Sequence, residues 1–303
     1  MRLRSQCFQC DLFSRRAPVL AAILAAFLFS ARSFAQDPAA NAIGGHVNDA
    51  TAAQQEKPGG LTAPQPEDPR ANPGRPTVST PATLTPVGYL QFETGLLAAW
   101  HSPEFSSQSS LGEVTKFSVL QRVQLLAATG PFVHSNTEPA NGTGDVSLGV
   151  QGVVHQGEGA RPTVALSYFR RVHSGGTPDL DIGGASNSVI LLASADVKGF
   201  HYDTNYLFNE VDGGQRVRRA QFGQTLSVSH AISKKFGISG EIWHFTQPFL
   251  RGHAIGNLWA LNYNARKNLV FDLGFNRGLT STSTRWEILA GFTYLLPQKI
   301  HLH

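Results

Sequence analysis

The feature that most constrains the fold is a period-two alternation of apolar and polar residues, which recurs throughout the C-terminal two thirds of the chain. Side chains that alternate in this way lie on opposite faces of a β-strand. The clearest case is 269–278, where Phe271, Leu273 and Phe275 alternate with Asp272 and other polar or small residues. Twelve such segments are predicted, at 88–100, 109–119, 123–135, 145–155, 162–173, 187–197, 200–210, 218–232, 236–247, 255–265, 269–278 and 285–295.

Two kinds of connection alternate between these segments. One kind is short, such as Lys198-Gly199 and 266–268, and the other is generally longer and polar, such as 101–108, 136–144 and 174–186. Outer-membrane barrels have this asymmetry, with short periplasmic turns and longer outer loops.

A soluble β-sandwich would show the same alternation, so other features must decide between the two folds. The segments run for about ten residues, which is the length of a tilted strand that crosses a bilayer and nearly twice that of a soluble strand. Aromatic residues such as Trp100, Tyr202 and Trp286 lie near the ends of the apolar faces, as in membrane-interface girdles. In hydrocarbon only closure satisfies every backbone group of a sheet. The sequence therefore predicts an all-β fold, a transmembrane antiparallel β-barrel over 88–296.

The N-terminal residues have the pattern of an export signal. Arginines up to Arg16 precede the apolar run 17–29, and Ser33-Phe34-Ala35 places small residues where a signal peptidase cleaves. The run is too short for a membrane anchor, which is the alternative interpretation. We expect residues 1–35 to be a signal peptide cleaved near Ala35, and the protein to lie in the outer membrane of a Gram-negative bacterium.

The excess of basic residues belongs to this N-terminal segment. The whole chain has a formal net charge of +4, but residues 36–303 carry 20 basic and 20 acidic residues. Nothing in them indicates a nucleic-acid partner. Both cysteines, Cys7 and Cys10, also fall in the segment, so the exported protein is expected to have no disulfide, thiolate nucleophile or cysteine metal site.

Residues 36–87 differ in composition from the rest of the chain. They are rich in Pro, Ala, Gln, Thr and Gly, and hold nine of the 17 prolines. Such a segment has few apolar residues to offset the entropy of ordering, and proline prevents regular strand pairing. We expect a flexible or extended periplasmic segment; a plug in the barrel lumen is the alternative. Residues 297–303 are expected to form a C-terminal tail.

The alternation assigns a face to some positions and leaves others undecided. Val133 falls on the same face as Leu125, which predicts that both lie outside. The faces of 236–247 are mixed, so the pattern does not decide whether Ile242 or Trp243 meets lipid. Gln224 falls on an apolar face and requires a bulge, a change of register or a protein neighbour.

The polar faces of the predicted strands supply the candidate site residues. They could line a channel whose mixed charges set selectivity, or form a cross-strand network that braces the wall and closes the lumen. Side chains just fill an eight-stranded barrel, so twelve strands leave room for a narrow pore. By alternation the inward candidates are Gln91, Glu93, Lys116, Gln124, Asp145, Gln151, Arg171, Asp196, His201, Asp203, Asn205, Glu241, Asn262, Asp272, Asn276, Arg285 and Glu287.

The chain has no sequence signature of catalysis. It contains no Gly-x-Ser-x-Gly, Walker loop or His-Glu-x-x-His pattern. A barrel enzyme that cleaves lipids would need Ser and His on the outer face near the rim, where His230 and His244 are candidates by position only. His301 and His303 form a terminal pair that we expect to be solvated. We expect no enzyme, no metal and no cofactor.

Several short patterns resemble a known family. Arg75-Pro76, Thr80-Pro81 and Pro86-x-Gly88-x-x-Gln91-x-Glu93-x-Gly95 are similar to the opening of the outer-membrane transporter family named for the phenol meta-degradation pathway. Also similar are Gly144-Asp145-x-x-Leu148-Gly149, Asn262-Tyr263, Leu269-x-Phe271-Asp272-x-Gly274 and Gly291-Phe292-Thr293-Tyr294. The resemblance spans 75–296 and implies a twelve-stranded barrel that admits small compounds, aromatic or hydrophobic ones among them. Such barrels commonly end on an aromatic residue, whereas this chain continues to His303.

Three functions remain open from the sequence. The first is a monomeric outer-membrane channel that passes small molecules passively, with lipid and small solutes as its partners. The second is a closed barrel with a structural or surface-binding role. The third is a lipid-modifying barrel enzyme.

Overall fold

The computed structural model describes residues 69–138, 140–175, 185–212 and 217–300. The predicted signal peptide, residues 36–68, most of the 174–186 loop and the pair His301 and His303 lie outside the described residues. No helix in the described ranges has the length and apolar character needed to cross a membrane. The strands are β1 (Leu90–Trp100), β2 (Ser107–Leu120), β3 (Val123–Ser135), β4 (Asn141–Gly142), β5 (Val146–His155), β6 (Thr163–His173), β7 (Ala185–Val197), β8 (Phe200–Asp212), β9 (Arg218–Ala231), β10 (Phe236–Gln247), β11 (Gly252–Arg266), β12 (Leu269–Gly278) and β13 (Trp286–Leu295).

These strands form one closed antiparallel sheet. Strand β1 pairs with β13 from Gln91 opposite Leu295 to Trp100 opposite Trp286, and also with β2. Each further strand pairs with the next one along the chain, except that the two-residue β4 extends only the end of β3, and β3 continues to β5. The predicted barrel of twelve strands is confirmed, and its closure leaves no exposed sheet edge.

The two ends of the barrel differ in their connections. At one end only 121–122, 198–199 and 267–268 separate β2 from β3, β7 from β8 and β11 from β12. Lys198 and Gly199 both have positive φ, 51° and 82°, as two-residue hairpin turns require. At the other end longer segments such as 101–106 and 279–285 intervene. We call these the short-turn end and the long-loop end.

The outer and inner faces of the wall differ in polarity. Large apolar side chains are exposed on the outside of nearly every strand, among them Leu96 and Trp259. Polar side chains such as Gln91, Gln124 and Asn205 are buried inside. A continuous exposed apolar surface would be unfavourable in water, but it matches the hydrocarbon of a bilayer.

A β-bulge changes the expected face of Val133. Leu111 of β2 lies opposite Phe132 of β3, and Glu113 lies opposite Thr129, so one residue of β2 faces two residues of β3. The extra residue reverses the alternation beyond it. Phe132 is therefore exposed and Val133 is buried, which corrects the sequence prediction.

The two uncertain positions in the other strands are settled by regular pairing. Ile242 is 64% exposed and faces outward, whereas Trp243 is 2% exposed and faces inward. Gln224 is exposed on the outer face without a bulge, and its protein neighbours are the paired residues Tyr206 and His244.

Candidate functional site in the barrel interior

The described part of the proline-rich segment lies inside the barrel. Residues 72–85 follow the inner wall around its circumference, and we call them the inner ring. The flexible periplasmic lead expected for 36–87 is therefore not what residues 69–87 form; they match the lumen-plug alternative in location. The backbone of this proline-rich segment forms no strand, so it needs hydrogen-bond partners from elsewhere. The polar side chains of the wall supply them.

The ring begins against β1 and β2. The backbone N–H of Asn72 donates to Gln91 Oε1 (2.8 Å), and that of Gly74 donates to Glu93 Oε1 (3.0 Å). Lys116 Nζ lies 2.6 Å from the same Glu93 oxygen, so a buried ion pair holds the carboxylate in place. Side chains expected to face the bore thus bind the chain's own backbone.

Arg75 lies in a recess formed by two glycines of the wall. Gly95 of β1 pairs with Gly291 of β13, and the Arg75 guanidinium occupies the space that a side chain at either position would need. Its Nε lies 3.6 Å from Asp272 Oδ2 of β12. Pro76 continues the path by packing against Gly274, also of β12.

Glu241 on β10 is the principal anchor of the ring. Its carboxylate accepts hydrogen bonds from the backbone N–H of Val78 (2.7 Å) and Ser79 (2.6 Å), and from Ser79 Oγ (2.5 Å). Ser79 Oγ also lies 2.8 Å from Thr225 Oγ1 on β9. The Val78 side chain packs against the buried cluster that includes Trp243, so this anchor combines charge-assisted hydrogen bonds with apolar contact.

The next part of the ring crosses β8, β7, β6 and β5. Thr80 and Asn205 exchange two hydrogen bonds, from the Thr80 N–H to Oδ1 (2.6 Å) and from Nδ2 to the Thr80 carbonyl (2.9 Å). The Ala82 N–H donates to Ser194 Oγ (2.7 Å). Gln151 Nε2 donates to the carbonyls of Pro81 and Ala82. Ala82 also packs on Ala165 of β6 and Leu192 of β7.

The ring ends against β3 and β2 and closes on itself. Thr85 donates to Gln124 Oε1 from its N–H (2.9 Å) and its hydroxyl (2.8 Å), and the hydroxyl also lies 2.8 Å from Ser118 Oγ. Asn72 Nδ2 donates to the Thr83 carbonyl (2.9 Å), which joins the start of the ring to a residue near its end. The contacts thus reach all the way around the bore.

Both ends of the ring leave toward the short-turn end. The Ala71 N–H donates to the carbonyl of Lys267 in the β11–β12 turn (2.9 Å), and the Gly88 N–H donates to the Ser118 carbonyl (2.8 Å) before β1 begins. The ring therefore narrows the half of the bore next to the short turns.

The ring covers the wall but has an accessible edge of its own. Behind it Asn205 is 1% exposed and Glu241 is 3% exposed. Within it Ala82 is fully buried against the wall, whereas its neighbour Thr83 is exposed. Part of the ring is thus exposed to solvent, whereas the wall behind it is buried.

Other predicted inward residues form separate groups toward the long-loop end. Arg171 lies 3.1 Å from Asp145 Oδ2 and 3.5 Å from Asp212 Oδ2. Asn276 accepts a hydrogen bond from Trp243 Nε1 (2.9 Å) and donates to Glu287 (2.7 Å). The second group borders the ring through Trp243, since Val78 packs against the cluster that contains it.

The remaining candidates lie near the two mouths or alone. His201 bridges Asp196 (2.8 Å) and Asp203 (3.2 Å) at the short-turn end, and Asp203 accepts from Ser194 (2.5 Å). Arg285 precedes β13 and is exposed at the long-loop end, so it is not a strand residue as predicted. Asn262 faces the interior next to Asp272, its paired residue on β12.

Several residues that build the ring are not among the site residues that the sequence predicts. They are Arg75, Ser79, Thr80 and Ala82 in the ring, and the small hydroxyl residues Ser118, Ser194 and Thr225 in the wall. Arg75-Pro76 and Thr80-Pro81 enter the prediction only as parts of the family-like pattern. Small inward hydroxyls give no distinct sequence signal, because they also suit a water-filled bore.

The histidines considered for an enzyme have other partners. His230 Nδ1 lies 2.9 Å from the Gly199 carbonyl oxygen, and His244 Nε2 lies 2.9 Å from His253 Nδ1. Among the described residues neither histidine hydrogen-bonds to a serine. In the same ranges no group of three or more metal-ligating side chains occurs.

Comparison with solved structures finds the same class of fold. The COG4313 outer membrane channel from Pseudomonas putida F1 superposes with a TM-score of 0.50 at 13% identity, covering 71% of this chain and 98% of that one. The NanC porin (TM-score 0.49, 11% identity, 68% and 98% covered) and the KdgM porin (0.45, 12%, 71% and 99%) are also similar. No family model and no curated protein matches the sequence. The likeness to the COG4313 channel supports a closed outer-membrane-type barrel as the fold.

Proposed function

We propose that this protein is an outer-membrane channel for small solutes, with the inner ring as its constriction. The observation that carries the proposal is the ring itself, because it follows the inner wall while its residue Thr83 stays exposed to solvent. A barrel built only as a scaffold would gain stability by filling this space with apolar side chains. The wall instead presents polar groups at this level, and these hold the ring by hydrogen bonds from its backbone.

The test is conductance of the purified full chain in planar bilayers. Wild-type protein should give a small, steady conductance, and Glu241→Gln should raise or destabilise it. An amide has only one acceptor oxygen for the two backbone N–H groups that the carboxylate now accepts, so the ring loses its main anchor. Glu113→Gln is the matched control, since that carboxylate bonds to Thr94 and not to the ring. Folded protein that neither conducts nor swells liposomes with any small solute would disprove the proposal.

A second function, a closed structural barrel, is favoured by the pairing of inward charges. Lys116 lies 2.6 Å from Glu93, and Arg171 lies between Asp145 and Asp212. Such pairs brace a wall as well as they line a pore. The two functions separate in the same assay, because a closed barrel stays silent in wild type and conducts only when Glu241 is changed.

We further propose small aromatic compounds among the solutes, on the basis of the family resemblance. Liposomes containing the protein should swell faster in benzenesulfonate than in gluconate, an anion of the same charge and similar mass. Equal rates in the two solutes would remove the aromatic preference while leaving the channel proposal intact.

A further inference from the structure

A groove on the outer face of the wall has features that the channel does not need. It lies at the long-loop end of β7, β8 and β9 and has a volume of about 370 Å³. Its floor is apolar, formed by Val189, Phe208 and Ala220. Phe222 packs edge-on against Phe208 (ring centroids 5.2 Å apart) and extends the apolar surface toward mid-membrane. We call this the rim groove.

A line of hydrogen bonds crosses the groove at the edge nearest the long loops. Tyr168 Oη donates to Asn187 Oδ1 (2.8 Å), and Asn187 Nδ2 donates to Glu210 Oε2 (2.6 Å). Arg218 Nη1 then donates to Glu210 Oε1 (3.0 Å). These side chains come from four successive strands on the lipid-facing side, so the polar line fixes the groove's rim.

Three arginines lie along this line, and one of them, Arg219, lines the groove while its Nη1 donates to the Pro248 carbonyl (2.6 Å). The Arg218 side chain is 62% exposed, so most of its guanidinium remains available beyond the bond to Glu210. Arg170 is exposed on β6 directly opposite Asn187. Arg170, Arg218 and Arg219 outnumber the single carboxylate of Glu210, so the groove's edge is cationic above an apolar floor.

We propose that the rim groove binds one outer-leaflet lipid with a phosphorylated headgroup. Guanidinium groups bind phosphate through charge-assisted hydrogen bonds, and an acyl chain fits the apolar floor where it joins the lipid-facing wall. The inference rests on the proposed outer-membrane location and is independent of conduction, since the groove faces away from the bore.

The test measures lipid bound to the full chain in detergent by native mass spectrometry, with short-chain phosphatidic acid as the probe. Wild-type protein should bind it well above a diacylglycerol of equal chain length. The double variant Arg170→Gln/Arg218→Gln should bind about tenfold more weakly, as expected for the loss of charge-assisted bonds. Lys234→Gln/Lys235→Gln, which removes two exposed cations at the short-turn end, is the matched control.

Further arms identify the ligand and check the fold. Ala220→Phe should also weaken binding, because it fills the floor without changing charge. Inorganic phosphate should not compete, since it lacks an acyl chain. Equal binding by both double variants, no preference over diacylglycerol, or full competition by phosphate would overturn the proposal. Heat-modifiable gel mobility confirms folding, and conductance of Arg170→Gln/Arg218→Gln should equal wild type.

Discussion

At the scale of single residues, glycines in the wall decide where the inner ring can lie. Gly95, Gly291 and Gly274 all point inward, and Arg75 and Pro76 occupy the volume that side chains there would fill. At Gly95 and Gly291 glycine is needed for lack of a side chain, since a Cβ would overlap the Arg75 guanidinium at the first position and lie 2.5 Å from the Thr94 carbonyl oxygen at the second. At Gly274 the contact with Pro76, at 3.2 Å, is only tight. The same residues recur in the family-like patterns, which gives those patterns a physical reason.

Gly95→Ala is expected to lower the free energy of unfolding by about 1 to 2 kcal/mol. The new methyl group takes the place of the Arg75 guanidinium, which must move away from Asp272. Gly112→Ala is the control. Gly112 lies on β2 directly opposite Gly95, but its added Cβ would meet only one atom, the Gly95 carbonyl oxygen at 3.9 Å. Urea unfolding of the reconstituted protein measures both; equal effects would show that Arg75 is not held by the recess.

At the scale of elements, β10 shows how one strand serves two environments. Its inward residues Glu241, Trp243 and Phe245 hold the ring against the inner wall, while Ile238 and Ile242 face outward. The inward aromatics hide this alternation in the sequence, because apolar residues then occur on both faces. Pairing with β9 and β11 fixes the register and so the face of every residue.

Ile242→Arg is expected to destabilise the barrel by about 2 to 4 kcal/mol, the cost of a lipid-facing arginine near mid-membrane. Ile232→Arg is the control, since Ile232 is equally exposed but lies in the β9–β10 turn, where an arginine reaches water. Urea unfolding in lipid vesicles gives both values. Similar losses for the two variants would contradict the membrane depth assigned to β10.

Closure between the first and last strands can be tested by cross-linking. Leu96→Cys/Ala290→Cys should form a disulfide on mild oxidation, because these residues are directly paired across β1 and β13 and paired Cα atoms lie within disulfide range. Leu96→Cys/Leu273→Cys should not, since Leu273 lies one strand further away. Both are made with Cys7 and Cys10 replaced by Ser. Failure of the first pair to oxidise in folded protein would mean an open sheet.

At the scale of the whole molecule, the ring and the barrel depend on each other. The ring has no sheet partners of its own, so seven of its backbone N–H groups donate to wall side chains from five strands, among them Glu241, Asn205 and Ser194. The ring in turn covers charged side chains of the wall, such as Glu93, which would otherwise face water. These hydrogen bonds hold a proline-rich segment in the bore, although the segment has no regular secondary structure.

Thiol labelling should detect the accessible edge of the ring. Thr83→Cys, made with Cys7 and Cys10 replaced by Ser, should react with a small water-soluble maleimide at least about tenfold faster than Ala82→Cys. A buried thiol is shielded from reagent, while an exposed one is not. The two positions are adjacent, so local sequence cannot explain a difference. Equal, slow labelling of both would indicate a bore that water does not reach.

The strands and their inward polar residues could be predicted because both depend on local periodicity. The period of two gives the face of each residue wherever pairing is regular, as for Gln91, Asn205 and Asp272. It failed at Val133, because a bulge depends on the partner strand, and at Arg285, because the strand begins one residue later than the alternation suggests.

The sequence by itself determined a lipid-facing barrel of twelve strands, because amphipathic alternation over membrane-spanning lengths is written in neighbouring residues. Only the tertiary structure decided what occupies the bore. The path of residues 72–85 depends on distant acceptors. Glu241 lies 162 positions beyond Ser79, and Asn205 lies 125 positions beyond Thr80. Contacts over such separations arise from barrel closure, which places all inward faces around one cavity, and no local pattern encodes them.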